Sequence, residues 1–365
     1  MGRFLYRIAL LLAAGSLFAQ STQSWVLGPF VRPVTAPIIQ PNPQSVFTDP
    51  ITSKPVHWEA LHTFNPAAIV RQGKVYVLYR AEDDSGTMVI GMHTSRLGMA
   101  SSDDGIHFTT EPTPVFYPGV DAQQAKEWPG GVEDPRLVER EDGTYVLAYT
   151  QWNRHNTDIG IATSTDLIHW EKQGAALRGE KYQHLDYKSA SIVTRLTHGR
   201  LIAAKIDGKY WMYWGEIQVR VATSPDLVHW TPVEKSSAKP IVLLHNRPGH
   251  FDSAFPEVGP PSLLTDRGIV LIYNGKNAVA EGAPGIPVGA YSAGQALFAA
   301  NDPSKLVART GQPFLKPEQP WEQSGQYAAG TIFAEGLVFF HDKFFLYYGG
   351  ADSRVGVAVF DPKKP

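Results

Sequence analysis

Carboxylates recur at one kind of place in this chain, at the ends of short apolar stretches. Phe64-Asn65-Pro66 precedes the first stretch, and Tyr79-Arg80-Ala81-Glu82-Asp83 follows it. Gly131-Val132-Glu133-Asp134-Pro135-Arg136 opens a second, Asp186-Tyr187-Lys188-Ser189 a third and Phe255-Pro256-Glu257-Val258-Gly259 a fourth. Gly349-Gly350-Ala351-Asp352 closes a fifth. Brought together, these residues form a ring of acids with an Arg, a Lys and an Asn. Cleavage of a glycosidic bond needs such a set: two carboxyl groups, hydrogen-bonding neighbours and no cofactor. A metal centre needs ligands clustered at suitable spacings, and the sequence has no such cluster. The expectation is a site with neither metal nor cofactor, acting on an oligosaccharide.

The elements that would position this ring are repeated. Pro66–Tyr79, Pro135–Tyr149, Ser189–Lys205, Pro261–Tyr273 and Glu335–Tyr348 each read as a β-hairpin, with β-branched and aromatic residues around a central turn. They lie about 55 to 75 residues apart. A second pattern follows three of them: Ala100–Phe108, Ala162–Trp170 and Ala222–Trp230 each run from a Ser through an Asp turn to an aromatic. Asn301–Val307 is a weaker relative. Because His107, His169 and His229 hold the same place in each copy, they read as architecture and not as three metal ligands. Five such repeats predict an all-β fold, a five-bladed β-propeller over residues 61–365. A β-sandwich fits five copies of one hairpin poorly. Hairpin entrances of a propeller converge on its axis, which is where the acids stand.

The N-terminus reads as an export signal over residues 1–19, with Arg3 and Arg7 before an apolar run too short to span a bilayer. Residues 20–60 are Pro-rich and read as an arm. The expected location is periplasmic or secreted, with no membrane attachment after cleavage. The chain has no Cys, so its core alone must hold it. A formal charge of -2 offers no broad basic surface, and nucleic acid is not an expected partner.

The stretches FNPAAIVRQGKVYVLYRAEDD, GGVEDPRLVEREDGTYVLAYT, EVGPPSLLTDRGIVLIYNG and GLVFFHDKFFLYYGGADSRVGVA resemble glycoside hydrolase family 130, from about Phe64 to Phe360. The resemblance implies a five-bladed propeller acting on β-mannosides with inversion, through either phosphate or water. It implies that Asp134 is the general acid, donating directly or through a sugar hydroxyl. It also implies that Asn65, Arg80 and Asp352 bind the sugar.

The chain departs from the phosphorylases of that family after the third hairpin. Their His-Arg pair is absent from Gly208–Glu216, where Glu216 stands instead, and Glu257 adds an acid where phosphorylases usually have none. Two carboxylates about 4 Å from a phosphate would cost several kcal/mol at an effective dielectric near 20. They could hold and deprotonate a water. The expected activity is therefore an inverting, exo-acting hydrolase of β-1,2-linked manno-oligosaccharides. Asp134, Glu216 and Glu257 are its expected catalytic residues, and Asn65, Arg80, Lys188 and Asp352 contact the sugar. Trp214 or Trp211 is expected to stack on the ring. Lys188 and Lys205 keep a phosphorylase as the alternative, and a non-catalytic sugar-binding propeller is a further one. A furanoside-cleaving propeller of another family would need an Asp where this chain has Asn65.

Overall fold

The computed structural model describes residues 25–182, 186–235 and 239–364. The expected export signal, residues 1–19, lies outside the described residues. Strands dominate, and the helices among the described residues are short: Gln124–Glu127, Glu180–Tyr182 and Pro320–Gln323. The all-β expectation holds.

The strands fall into five successive antiparallel units. The first is built on His62–Arg71, Lys74–Glu82 and Ser95–Ser102. The second uses Gly131–Glu139, Tyr145–Trp152 and Thr157–Ser164, and the third uses Ala190–Thr197, Lys209–Trp214 and Val219–Ser224. In the fourth, Phe255–Val258 and Ser262–Thr265 both pair with Gly268–Lys276, which pairs on with Tyr291–Ala299. Ile332–Phe340, Lys343–Gly350 and Arg354–Phe360 make the fifth. The proline-rich arm packs on this last unit, where Val31 and Ile39 bridge to Val359 and Val355.

Each unit is apolar on both faces, and that explains why its strands read as nearly continuous apolar runs. Adjacent residues on one strand point into different cores. Val77 packs with Val338, Phe345 and Val357 of the fifth unit, while Leu78 packs with Leu137 and Leu147 of the second. Val146 faces Ile192 and Met212 of the third unit. Leu271 joins Val193 and Val221, and Ile272 joins Leu337 and Leu346. Each such buried side chain contributes about 1.5–3 kcal/mol relative to exposure.

The third unit differs from the sequence reading. The expected hairpin at Ser189–Lys205 forms only in its outer half, where Thr194–Thr197 pair with Arg200–Ala203. Its inner residues, Ala190–Ile192, pair instead with Met212–Trp214. The true second strand is Lys209–Trp214, where aromatics are concentrated. The three Asp turns are structural, as read. Asp104 Oδ1 accepts from the backbone of Ile106 and His107 at 2.8 Å, and the same pattern recurs at Asp166 and Asp226. The three histidines are exposed and pair with their own turn aspartates.

A packing rule inside the units holds the strands that carry the site. Tyr79, Tyr149, Tyr273 and Tyr348 stand opposite Gly98, Gly160, Gly294 and Gly356 on the next strand. Each ring lies over its glycine, and each hydroxyl reaches a buried acid: Glu59, Glu127, Asp252 and Glu322. A Cβ on Gly160 would fall 2.5 Å from the Tyr149 ring and 2.9 Å from Gln151. We expect Gly160→Ala to cost about 1–3 kcal/mol through overpacking. Chemical denaturation is the check, and an unchanged midpoint would mean that the ring has room to move.

Candidate active site

Two kinds of local geometry aim polar side chains at a common point. At Asn65 and Asp134 the backbone is left-handed, with φ of 46° and 47°. Short polar Asn and Asp tolerate that region better than most residues. Both precede a proline and lie where the strand register slips, between Phe64 and Pro66 and between Glu133 and Arg136. A bulge of this kind re-aims a side chain off the regular pleat. Asp352, also left-handed at φ 48°, lies in the turn between Lys343–Gly350 and Arg354–Phe360 of the fifth unit. Gly349 makes room for the result, since a Cβ there would sit 2.4 Å from Asn65 Oδ1.

A cavity of about 300 Å³ lies where these side chains meet. Asn65, Arg80, Asp134, Lys188, Glu216, Glu257 and Asp352 all line it. Seven of the eight residues singled out from the sequence are therefore brought together, from all five units. Trp214 is not among them and is a correction. It is 3% exposed in the core between the second and third units, edge-on to Tyr187 and under the Arg220 guanidinium. Trp211 donates to Ile206 O and packs with the next core, so it does not stack on a ligand either. Lys205 is exposed against Tyr210, away from the cavity. The aromatic walls come from Phe64, Trp152, Tyr291, Tyr327 and Phe333.

Two cations organise the acids. Arg80 is buried over the Phe64 ring at 4.6 Å and serves three carboxylates: Glu82 at 2.6 Å, Glu133 at 2.8 Å and Asp134 at 3.2 Å. Its Nε donates to Ser95 Oγ, which in turn donates to Glu133. Lys188 Nζ lies 3.8 Å from Asp134, 3.9 Å from Glu216 and 3.4 Å from Glu257. Asn65 Nδ2 donates to Asp134 Oδ1 at 2.8 Å. Behind them Arg136 donates to the carbonyls of Asp134 and Val258 and pairs with the fully buried Glu335 at 2.9 Å. Glu335 stands at the register slip between Ala334 and Gly336, the fifth unit's counterpart of Asn65 and Asp134. It was not singled out from the sequence.

Burial and charge divide the protons unequally. Burial pushes the Asp134 carboxyl up, but Arg80, Lys188, Arg136 and the Asn65 amide outweigh it and hold the group well below its usual range. Resting Asp134 is thus a carboxylate and must be loaded with a proton before it can act as an acid. Burial pushes Glu257 up to about 7 against the pull of Lys188, with Glu216 adding to the rise. Glu133 is likewise pushed up to about 7 by burial, against Arg80 and with Asp134. Asp352, partly open to the cavity, reaches about 7 for the same reasons. The protons available near neutrality therefore sit around Asp134 and not on it. Among the described residues no group of His, Cys, Asp and Glu has the form of a metal site.

A family model for glycoside hydrolase family 130, described as beta-1,4-mannooligosaccharide phosphorylase, matches residues 32–364. A curated 1,2-beta-oligomannan phosphorylase from Thermoanaerobacter sp. (strain X514) is 34% identical over 310 residues, covering 84% of this chain and 92% of that protein. A crystal structure of a candidate glycosidase from Bacteroides thetaiotaomicron VPI-5482 is 53% identical with a TM-score of 0.90, covering 92% of this chain and 97% of that one. Another structure comes from work on glycoside hydrolases within this family that target beta-1,2 mannosidic linkages in Candida mannan. It is 50% identical with a TM-score of 0.92, covering 94% and 96% of the two chains.

The raised carboxyl of Glu257 has a sign that can be checked. Below its unfolded value, near 4.3, it is protonated whether folded or not. Between that value and about 7 the folded protein keeps a proton that the unfolded chain has lost. Its contribution to stability is therefore full at low pH and is lost as pH rises through about 7. Glu257→Gln should gain stability relative to wild type between about pH 5.5 and pH 8. Thermal unfolding of the two proteins at both pH values measures this, and a constant difference would contradict it.

Proposed function

The chain belongs to glycoside hydrolase family 130, and on that footing we propose that it hydrolyses short β-1,2-linked mannosides from one end, with inversion. We further propose that its five strand units are the blades of one propeller, and that the protein is exported to the periplasm or beyond. The cyclic order of the cores supports the propeller, since the fifth unit packs on the first.

The observation that carries hydrolysis is the surrounding of Lys188. Among the described residues Lys188 is the one lysine on the cavity wall, and it is shared by three carboxylates, Asp134, Glu216 and Glu257. A phosphate dianion placed there would face three acids for one amine. A water would find acceptors for its protons. In the proposed reaction water attacks the anomeric carbon and gives its proton to Glu257, held near 7 and assisted by Glu216. The glycosidic bond breaks, and the leaving oxygen takes a proton delivered through Asp134 from the acids around it. Asn65, Arg80 and Asp352 hold the ring.

Phosphorolysis is the second reading, and the named curated relatives favour it over hydrolysis. The family description and the 34% identical relative are both those of phosphorylases. Lys188 would then meet the phosphate.

Incubation of β-1,2-mannobiose with the enzyme, with and without millimolar phosphate, separates the two. We expect free mannose at the same rate in both. A phosphate requirement with mannose 1-phosphate as product would overturn hydrolysis. Asp134→Asn should lose at least about a hundredfold in turnover, the scale of a general acid, while still binding sugar. Near-normal turnover would remove Asp134 from the mechanism.

A further inference from the structure

Three consecutive large apolar residues stand in water beside this charged cavity. Met88, Val89 and Ile90 are 64%, 55% and 51% exposed. They form the tip of the connection from Lys74–Glu82 to Ser95–Ser102, which starts directly after Glu82, the partner of Arg80. A run of exposed apolar residues costs solubility and calls for a function.

The tip is anchored. At its base Asp83 Oδ1 accepts from Ser85 and from the Thr94 backbone, while Asp83 Oδ2 pairs with buried Arg96 at 2.7 Å. Ser85 O meets His93 Nδ1 at 2.9 Å. Within the tip, Met92 N donates to Val89 O, and Trp152 Nε1 donates to Gly91 O at 2.8 Å. Ile90, Gly91 and Trp152 all line the cavity. The apolar tip is thus pinned at the edge of a cavity whose other walls carry the polar groups assigned to the reacting sugar.

We propose that Met88, Val89 and Ile90 form the leaving-group side of the site and pack on the C–H face of the sugar that departs. The inference rests on the glycoside-cleaving reading above. The occupant follows from continuity and polarity. Ile90 shares the cavity wall with Trp152, beside the acids and cations assigned to the reacting sugar, and the exposed Val89 and Met88 continue that apolar edge outward. A sugar ring offers hydroxyls at its rim and an apolar face of C–H bonds, so one substrate can satisfy both surfaces.

The test is the triple variant Met88→Ser, Val89→Ser, Ile90→Ser in the full chain, compared with wild type on β-1,2-mannobiose and 4-nitrophenyl β-mannoside. Inhibition by free mannose is measured in parallel. We expect kcat/KM to fall about tenfold on both substrates, the scale of losing one branched apolar contact, and the mannose inhibition constant to stay within about twofold. An unchanged kcat/KM while wild type turns over would overturn the leaving-group role and leave the proposed function standing. If sedimentation shows that the variant also loses a dimer, the tip belongs to a second copy, which equally overturns it. A matching loss of mannose inhibition would place the tip under the reacting sugar and overturn the assignment. No turnover by wild type on any β-mannoside would remove the proposed function, and this inference with it.

Discussion

Arg80 is the group on which the site depends. It places one permanent positive charge within ion-pair reach of Glu82, Glu133 and Asp134, in a setting with little water. Three acids cannot share such a space without it, because burying an unpaired charge costs several kcal/mol. Its own desolvation is offset by those acids, by Ser95 and by the Phe64 face beneath it. A lysine could not do the same, because a single ammonium lacks the fork that reaches three partners at fixed angles. The strand bulges at Asn65 and Asp134 make sense only around this cation, since they turn two polar side chains inward toward one point. Lys188 repeats the device at the other oxygen of Asp134, again with three carboxylates but at longer distances.

Much of this was legible in the sequence because it rests on local rules. The hairpins announced themselves through β-branched runs and turns. The Asp turns were recognisable as structure because they recurred with their histidines in register. The Asn-Pro and Asp-Pro pairs, read as strand entrances, sit at bulges inside their strands, and seven of the eight selected residues meet in one cavity. Trp214 failed for a physical reason. Its strand is buried on both faces, so neighbouring aromatics point into two cores and none is left for a ligand. The third hairpin failed because two segments compete for one strand, and pairing partners are not encoded locally. Glu335 stayed hidden because a lone Glu in an apolar run carries no local signal. Its meaning comes from Arg136, whose sequence position is remote. The ionised state of Asp134 was equally invisible, since it comes from Arg80, Arg136 and Lys188, which belong to three different strand units.

The choice between water and phosphate turns on how many negative charges surround Lys188. The curated relatives lean toward phosphate, and the carboxylates of this chain lean toward water. The two readings differ in which atom becomes bonded to the anomeric carbon. The most direct measurement is to cleave β-1,2-mannobiose in heavy-oxygen water with phosphate present, and to follow the label and the anomer by mass and proton resonance. Hydrolysis by the Glu216 and Glu257 side predicts that α-mannose appears first, carrying the heavy oxygen on its anomeric carbon. Unlabelled mannose 1-phosphate as the first product would contradict it.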